Sequence, residues 1–124
     1  LVFAAIGPYD GHITTFRASE KNSEGIQNPN YRCIFPKAPP PGTVAPCSEV
    51  GVLGAIAGVM GTLQATEVLK EITGIGESLV GRLLIYDALG CQFQNVSIKW
   101  DKNNPLSGET PIYHDLSHLI KEDA

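Results

Sequence analysis

Residues Ser48–Gly74 read SEVGVLGAIAGVMGTLQATEVLKEITG, and this stretch decides the fold. Ser48 is a favourable N-cap, Glu49 sits where the amide dipoles favour an anion, and Gly74 falls where a helix ends. The stretch therefore predicts one long helix over 48–74. Gly51, Gly54, Ala55, Gly58, Gly61 and Ala65 form a stripe of small residues that lets another backbone approach. Val52, Ile56, Val59 and Leu63 supply bulk elsewhere, so the helix is expected to be buried almost all round. A membrane span is the competing reading, because Val50 to Thr66 carries no charge and has small-xxx-small spacing. That run is seventeen residues with four glycines, Thr62 and Gln64, at the bottom edge of what crosses a bilayer, and the soluble reading is preferred.

Outward from the helix the pattern is that of strands. Leu1 to Ile6 is an apolar run rich in β-favouring residues, followed by the turn residues Gly7-Pro8-Tyr9-Asp10-Gly11 and a second strand over His12 to Phe16. An apolar start without an initiator Met suggests a piece of a longer protein, already inside a sheet. Arg17 to Asn30 reads as loop and Tyr31 to Phe35 as a short strand. Pro36, Pro39, Pro40, Pro41 and Pro46 then impose an extended linker. Beyond the helix, Gly81–Asp87 and Gln92–Trp100 predict an antiparallel pair, with Val96, Ile98 and Trp100 alternating as in a half-buried strand. Residues 101–111 read as loop, and a short terminal helix is expected around Leu116, Leu119 and Ile120. The fold class is α/β.

The 124 residues, 43% hydrophobic and 18% charged, suffice for one packed domain. Nine basic against thirteen acidic residues give a net charge of −4, which argues against nucleic acid as a partner. Three cysteines, Cys33, Cys47 and Cys91, form no disulfide framework and suit a reducing compartment. No basic segment precedes the apolar start, so no signal peptide is read. Gly74-Ile75-Gly76 has Leu79 in place of a third glycine and follows a helix instead of opening one, so it is no phosphate loop. The spacing of Gly51 to Gly58 fits no phosphate loop either. Cys47 stands out: it ends the proline-rich segment just before the helix, where amide dipoles favour thiolate, although a small residue tucked into the helix entry explains it equally well. Cys33 has Asn30, not a thiol, where a metal pair needs its partner. His114 and His118 share one helical face but read as a solvated tail, and Cys91 lies in a turn.

Taken in order, these segments resemble the carboxy-terminal half of the ThiF/MoeB/HesA adenylyltransferases, bacterial relatives of ubiquitin-activating enzymes. The resemblance rests on APCSEVGVLGAIAGVMGTLQATEVLKEITG and GRLLIYDALGCQFQNVSIKWD, with LVFAAIGPYDGHITTF and YRCIFPKAPPPGT before them, and spans residues 1 to 108. It implies a Rossmann-like mixed sheet with antiparallel strands and one long buried helix. Strands and loop would occupy 1–35, a crossover loop 36–47, the helix 48–74, the strand pair 81–101 and a tail 102–124. It further implies a cytoplasmic homodimer that adenylates the terminal glycine of a ubiquitin-like sulfur carrier of the ThiS or MoaD kind, for thiamine or molybdenum-cofactor synthesis, with a sulfur donor protein as a further partner. ATP and magnesium would be bound by the preceding half. Cys47 aligns with the family cysteine that links covalently to the carrier in ThiF-like members. The family's structural zinc uses two CxxC pairs, which here fall on Asn30 and Cys33, and on Asn104 and Ser107, so Cys33 is a remnant and zinc is expected to be absent. The alternative reading is a non-catalytic module that docks a ubiquitin-like protein or only dimerises.

Overall fold

A computed structural model describes residues 1–117. The strands β1 (Val2–Ile6), β2 (Asp10–Thr15), β3 (Arg82–Asp87) and β4 (Gln92–Ser97) form one sheet in the order β1-β2-β3-β4. Every pair is antiparallel; the mixed sheet expected from the sequence is reduced, among the described residues, to a single parallel bridge between Thr15 and Val80. The β1–β2 turn closes through the Gly7 amide, which donates to the Asp10 carbonyl at 2.8 Å. Among the described residues, three helices complete the α/β fold: α1 (Tyr31–Ile34), α2 (Cys47–Val50) and α3 (Gly54–Thr73).

Helix α3 lies across one face of β1 and β2. Period-2 alternation puts Val2 and Ala4 of β1, Ile13 of β2, and Leu84 and Tyr86 of β3 on that face. Ile56, Met60, Val59 and Leu63 meet them from the helix, and Leu79 closes the core. Gly11 makes the close approach possible: a Cβ there would sit 2.6 Å from Met60 Cγ and 2.8 Å from Met60 Sδ. Gln64 Nε2 donates to the Val2 carbonyl at 3.0 Å, tying the helix to β1. Glu67, buried on the same side, is neutralised by Lys70 at 2.7 Å.

Five local expectations are corrected. The helix predicted over 48–74 is broken: Gly51, at φ 75°, ends α2, and α3 starts only at Gly54. The Leu53 amide, which a continuous helix would satisfy internally, donates instead to Pro8 O at 3.1 Å, so a tertiary bond to the β1–β2 turn replaces a helical one. Pro46, not Ser48, caps α2. Nor is α3 buried all round. Its buried residues are Ile56, Met60 and Glu67, while Leu69 and Ile72 are exposed, and a Cβ built at Gly54, Gly58 or Gly61 would meet nothing within 4 Å beyond its chain neighbours and the helix's own backbone. The strand expected over Tyr31–Phe35 is the one-turn helix α1, because the Asn30 side chain accepts from the Arg32 amide at 3.0 Å and Cys33 Sγ accepts from the Asn30 amide at 3.4 Å. Finally, β4 ends at Ser97 and is exposed along its length, an edge strand with neither face covered.

Gly74 does cap α3 in the left-handed conformation. Of the expected terminal helix, Leu116 is exposed, whereas Leu119 and Ile120 lie outside the described residues, as does His118. No helix among the described residues is long and apolar enough to cross a membrane.

Candidate functional site

Cys47 opens α2 with its side chain exposed. Its position is set from two sides. Pro46 O accepts the amides of Glu49 at 2.9 Å and Val50 at 3.3 Å, and beyond Gly51 the Leu53 amide is anchored on Pro8. The thiol therefore borders a 400 Å³ cleft between the β1–β2 turn and the end of the proline-rich segment, walled by Ile6, Pro8, Val44, Val50 and Val52. Among the described residues, no carboxylate, histidine, lysine or arginine lines this cleft. A solvent-reached sulfur in apolar surroundings can attack an activated carbonyl, its proton leaving to water; among the described residues that line the cleft, none is a base placed to take it. The long-helix dipole argued from sequence does not reach Cys47, which begins a separate single turn.

Asn30, Cys33, Asn104 and Ser107, separated by as many as 77 positions, meet in one cluster. Asn104 is fully buried and central. Its Nδ2 donates to Asn30 Oδ1 at 2.8 Å and to Cys33 Sγ at 3.0 Å, and its Oδ1 accepts the amides of Leu106 at 2.8 Å and Ser107 at 3.0 Å. Asn30 Nδ2 donates to Ser107 Oγ at 2.8 Å, and Trp100 Nε1 donates to the Ser107 carbonyl at 3.2 Å. The knot joins the α1 entry to the 100–108 loop. Its donor set does not fit zinc: one thiol remains, and an N–H group points at that sulfur where a thiolate site would present its lone pairs to a cation. No group of three or more His, Cys, Asp or Glu able to hold a metal occurs among the described residues.

Nor do these residues fit the phosphates of ATP. The α3 N-terminus is entered through Val52 and Leu53 with no side-chain cap, and the pocket beside it is lined by Pro8, Tyr9, Val50, Gly51, Val52 and Leu53, without a cation. No step through ATP is assigned to this chain's own residues.

The sheet face opposite α3 carries a feature that sequence reasoning missed. Phe3 and His12, with Tyr31 and Phe35 from α1 and its end, pack in tilted and edge-on pairs at centroid separations of 5.1 to 5.9 Å. They floor a groove of 600 Å³ bounded by the proline-rich segment. Burial lowers the His12 pKa below its ordinary value, against the opposing pull of Asp10. The period-2 alternation of Phe3, Ala5, His12 and Phe16 was the available signal.

Residues 1–107 match the ThiF family. The chain is 42% identical over 116 residues to the sulfur carrier protein adenylyltransferase of Thermus thermophilus, covering 94% of this chain and 42% of that protein. It is 37% identical over 123 residues to the probable adenylyltransferase/sulfurtransferase MoeZ of Mycobacterium tuberculosis, covering 99% of this chain and 31% of that protein. To the SAMP-activating enzyme E1 of Haloferax volcanii it is 42% identical over 109 residues, covering 88% and 37%. The chain thus spans less than half the length of each of these relatives. With a family match running through both strand pairs, the Cys47 segment and the asparagine knot, the chain belongs to the ThiF family.

Proposed function

We propose that this chain is the carboxy-terminal part of a Rossmann-like adenylyltransferase domain, 1–124, whose whole protein activates the terminal glycine of a ubiquitin-like sulfur carrier with ATP and magnesium. The relatives named for sulfur carrier adenylylation support this reading. ATP and magnesium are then bound by a part of the protein outside this sequence. The product feeds sulfur transfer for molybdenum cofactor or thiamine, in the cytoplasm. The protein acts as a homodimer, receives sulfur from a donor protein and carries no zinc.

The observation that carries the assignment to this chain is the exposed Cys47 thiol in its apolar cleft at the end of the 36–47 segment. In the proposed role the Cys47 thiolate attacks the acyl adenylate of the carrier, a thioester forms and AMP leaves. The apolar wall lines the path of the carrier's small, uncharged tail and keeps competing water sparse.

The test uses the whole protein. Cys47→Ser is expected to abolish the dithiothreitol-cleavable adduct with the carrier while leaving ATP–pyrophosphate exchange intact. Equal adduct in the variant refutes the role of Cys47. Absence of exchange in the unaltered protein refutes adenylation itself and leaves the non-catalytic docking or dimerisation module as the reading.

A further inference from the structure

A separate cavity of 330 Å³ opens between residues 22–29 and the segments 80–81 and 98–100 that flank β3 and β4. It shares no lining residue with the aromatic groove or the Cys47 cleft, and its volume falls within the range of small-molecule pockets, about 300–1,000 Å³. One wall is held by its own hydrogen bonds. Asn22 Oδ1 accepts the amides of Glu24 at 3.0 Å and Ile26 at 2.9 Å, the Asn22 amide donates to Ile26 O at 2.8 Å, and the Asn28 amide donates to Glu20 O at 3.1 Å. Val80, Ile98 and the half-buried Trp100 supply apolar surface. Trp100 Nε1 is committed to Ser107 O at 3.2 Å, so the indole has no donor left to offer.

The polar part of the lining includes three groups without a partner among the described residues. Asn28 is only 8% exposed; its Nδ2 donates to Arg17 O at 3.2 Å, but its Oδ1 accepts nothing. That oxygen is not sealed in, unlike Thr15 Oγ1, the fully enclosed side-chain atom left unpartnered among the described residues. Glu24 and Lys99, both exposed, form no ion pair with each other or with any other described residue. A buried acceptor without a donor carries a cost that a ligand N–H removes, and one carboxylate with one ammonium complements a molecule bearing both charges. We propose that this cavity binds a free α-amino acid with an apolar side chain. Its ammonium donates to Asn28 Oδ1 and Glu24, its carboxylate meets Lys99, and its side chain lies on Trp100, Ile98 and Val80. A phosphate ester is the poorer match, because Lys99 is the one cation of the lining among the described residues. The site is distinct from the proposed activation of a carrier and stands without it.

The test titrates the whole protein calorimetrically with L-phenylalanine, with phenethylamine, which lacks the carboxylate, and with hydrocinnamate, which lacks the ammonium. L-Phenylalanine is expected to bind with a Kd of about 1 mM or below, and each analogue at least about fivefold more weakly. Glu24→Gln and Lys99→Gln are each expected to weaken L-phenylalanine about fivefold, the scale of one exposed charge contact. Both side chains are exposed and unpaired, so folding is preserved and checked by circular dichroism. Binding is expected to change tryptophan emission, and Trp100→Phe to remove that change. No saturable binding at about 10 mM ligand, equal binding of the analogues, unaltered affinity in both charge variants, or an emission change that survives Trp100→Phe overturns the proposal.

Discussion

Replacing Asn104 by alanine tests whether the buried polar knot holds the 100–108 loop to the α1 entry without a metal. The substitution deletes four hydrogen bonds at a side chain with no solvent exposure. Not all partners are orphaned. Asn30 Oδ1 keeps the Arg32 amide, and Asn30 Nδ2 keeps Ser107 Oγ. The amides of Leu106 and Ser107 lose their acceptor in a partly buried setting, each costing about 1 kcal/mol at the low end of the range for unsatisfied groups. The small void adds about 1 kcal/mol, for a total of about 3 kcal/mol. For a domain of this size that lowers the midpoint by about 10 °C. Thermal and urea unfolding followed by circular dichroism measure it. Asn104→Asp separates shape from hydrogen bonding: one oxygen still accepts the two amides, but the other faces Asn30 Oδ1 and Cys33 Sγ, acceptor against acceptor. It is expected to be destabilised by a similar amount at neutral pH. Ser107→Ala, which loses one acceptor, is expected to cost about 1 kcal/mol. A chelator is expected to leave the midpoint of the unaltered protein unchanged, with elemental analysis finding well under one zinc per chain. A loss below about 1 kcal/mol for Asn104→Ala, or an aspartate variant as stable as the parent, would refute the reasoning.

Two further substitutions test the packing of α3. Gly11→Ala forces a Cβ to within 2.6 Å of Met60 Cγ and is expected to cost about 1–3 kcal/mol by overpacking, with Met60→Ala in the same chain recovering part of it in urea titrations. At the other end of the helix, Glu71 is held below the usual carboxylate range by the Ser78 hydroxyl at 2.6 Å and by Arg17 at 2.7 Å, against an opposing desolvation. A depressed folded pKa means that the stabilisation is present above the unfolded carboxylate value and lost as pH falls through the lower folded one. Glu71→Gln is therefore expected to lower stability by less than about 1 kcal/mol at neutral pH, since Arg17 is largely exposed, with the difference vanishing in acid.

What the sequence disclosed depended on whether the deciding interaction was local. The β1–β2 and β3–β4 pairs were legible because alternation and turn residues sit within each hairpin, and Gly74 marked the end of α3 by its own conformational freedom. The break at Gly51–Leu53 was not, because the competing partner of the Leu53 amide is Pro8, far away in the chain. One-turn α1 was misread as a strand for the same reason: Tyr31–Phe35 suits either state, and the capping by Asn30, itself fixed by Asn104, decides it. In β4, alternation marked two faces, but no pattern within Gln92–Ser97 says whether either is covered. At the candidate site, Cys47 was visible as a residue, whereas its cleft depended on the β1–β2 turn folding back beside Val44 and Val52. Asn30, Cys33, Asn104 and Ser107 could be placed together only through the family resemblance, since no spacing rule applies to asparagines.

The aromatic groove and the Cys47 cleft share one mechanical element, the segment from Pro36 to Pro46. Its first end follows α1, which the knot fixes through Asn30 and Cys33, and its second end is the Pro46 cap of α2, held through Leu53 to Pro8. Between them, the Thr43 amide and hydroxyl both donate to Pro40 O, a local turn that makes no claim on the sheet. The segment thus spans two independent anchors while walling the aromatic groove with Ala38, Pro39 and Val44 and the Cys47 cleft with Thr43, Val44 and Ala45. Proline restricts the conformations lost on ordering such a span, which lowers the entropic cost of holding it extended. Val44 lines both cavities. Displacing Val44 therefore alters the walls of both cavities at once. The anchors are distinct: the knot holds the end at α1, and the bond from the Leu53 amide to Pro8 O holds the end at Cys47.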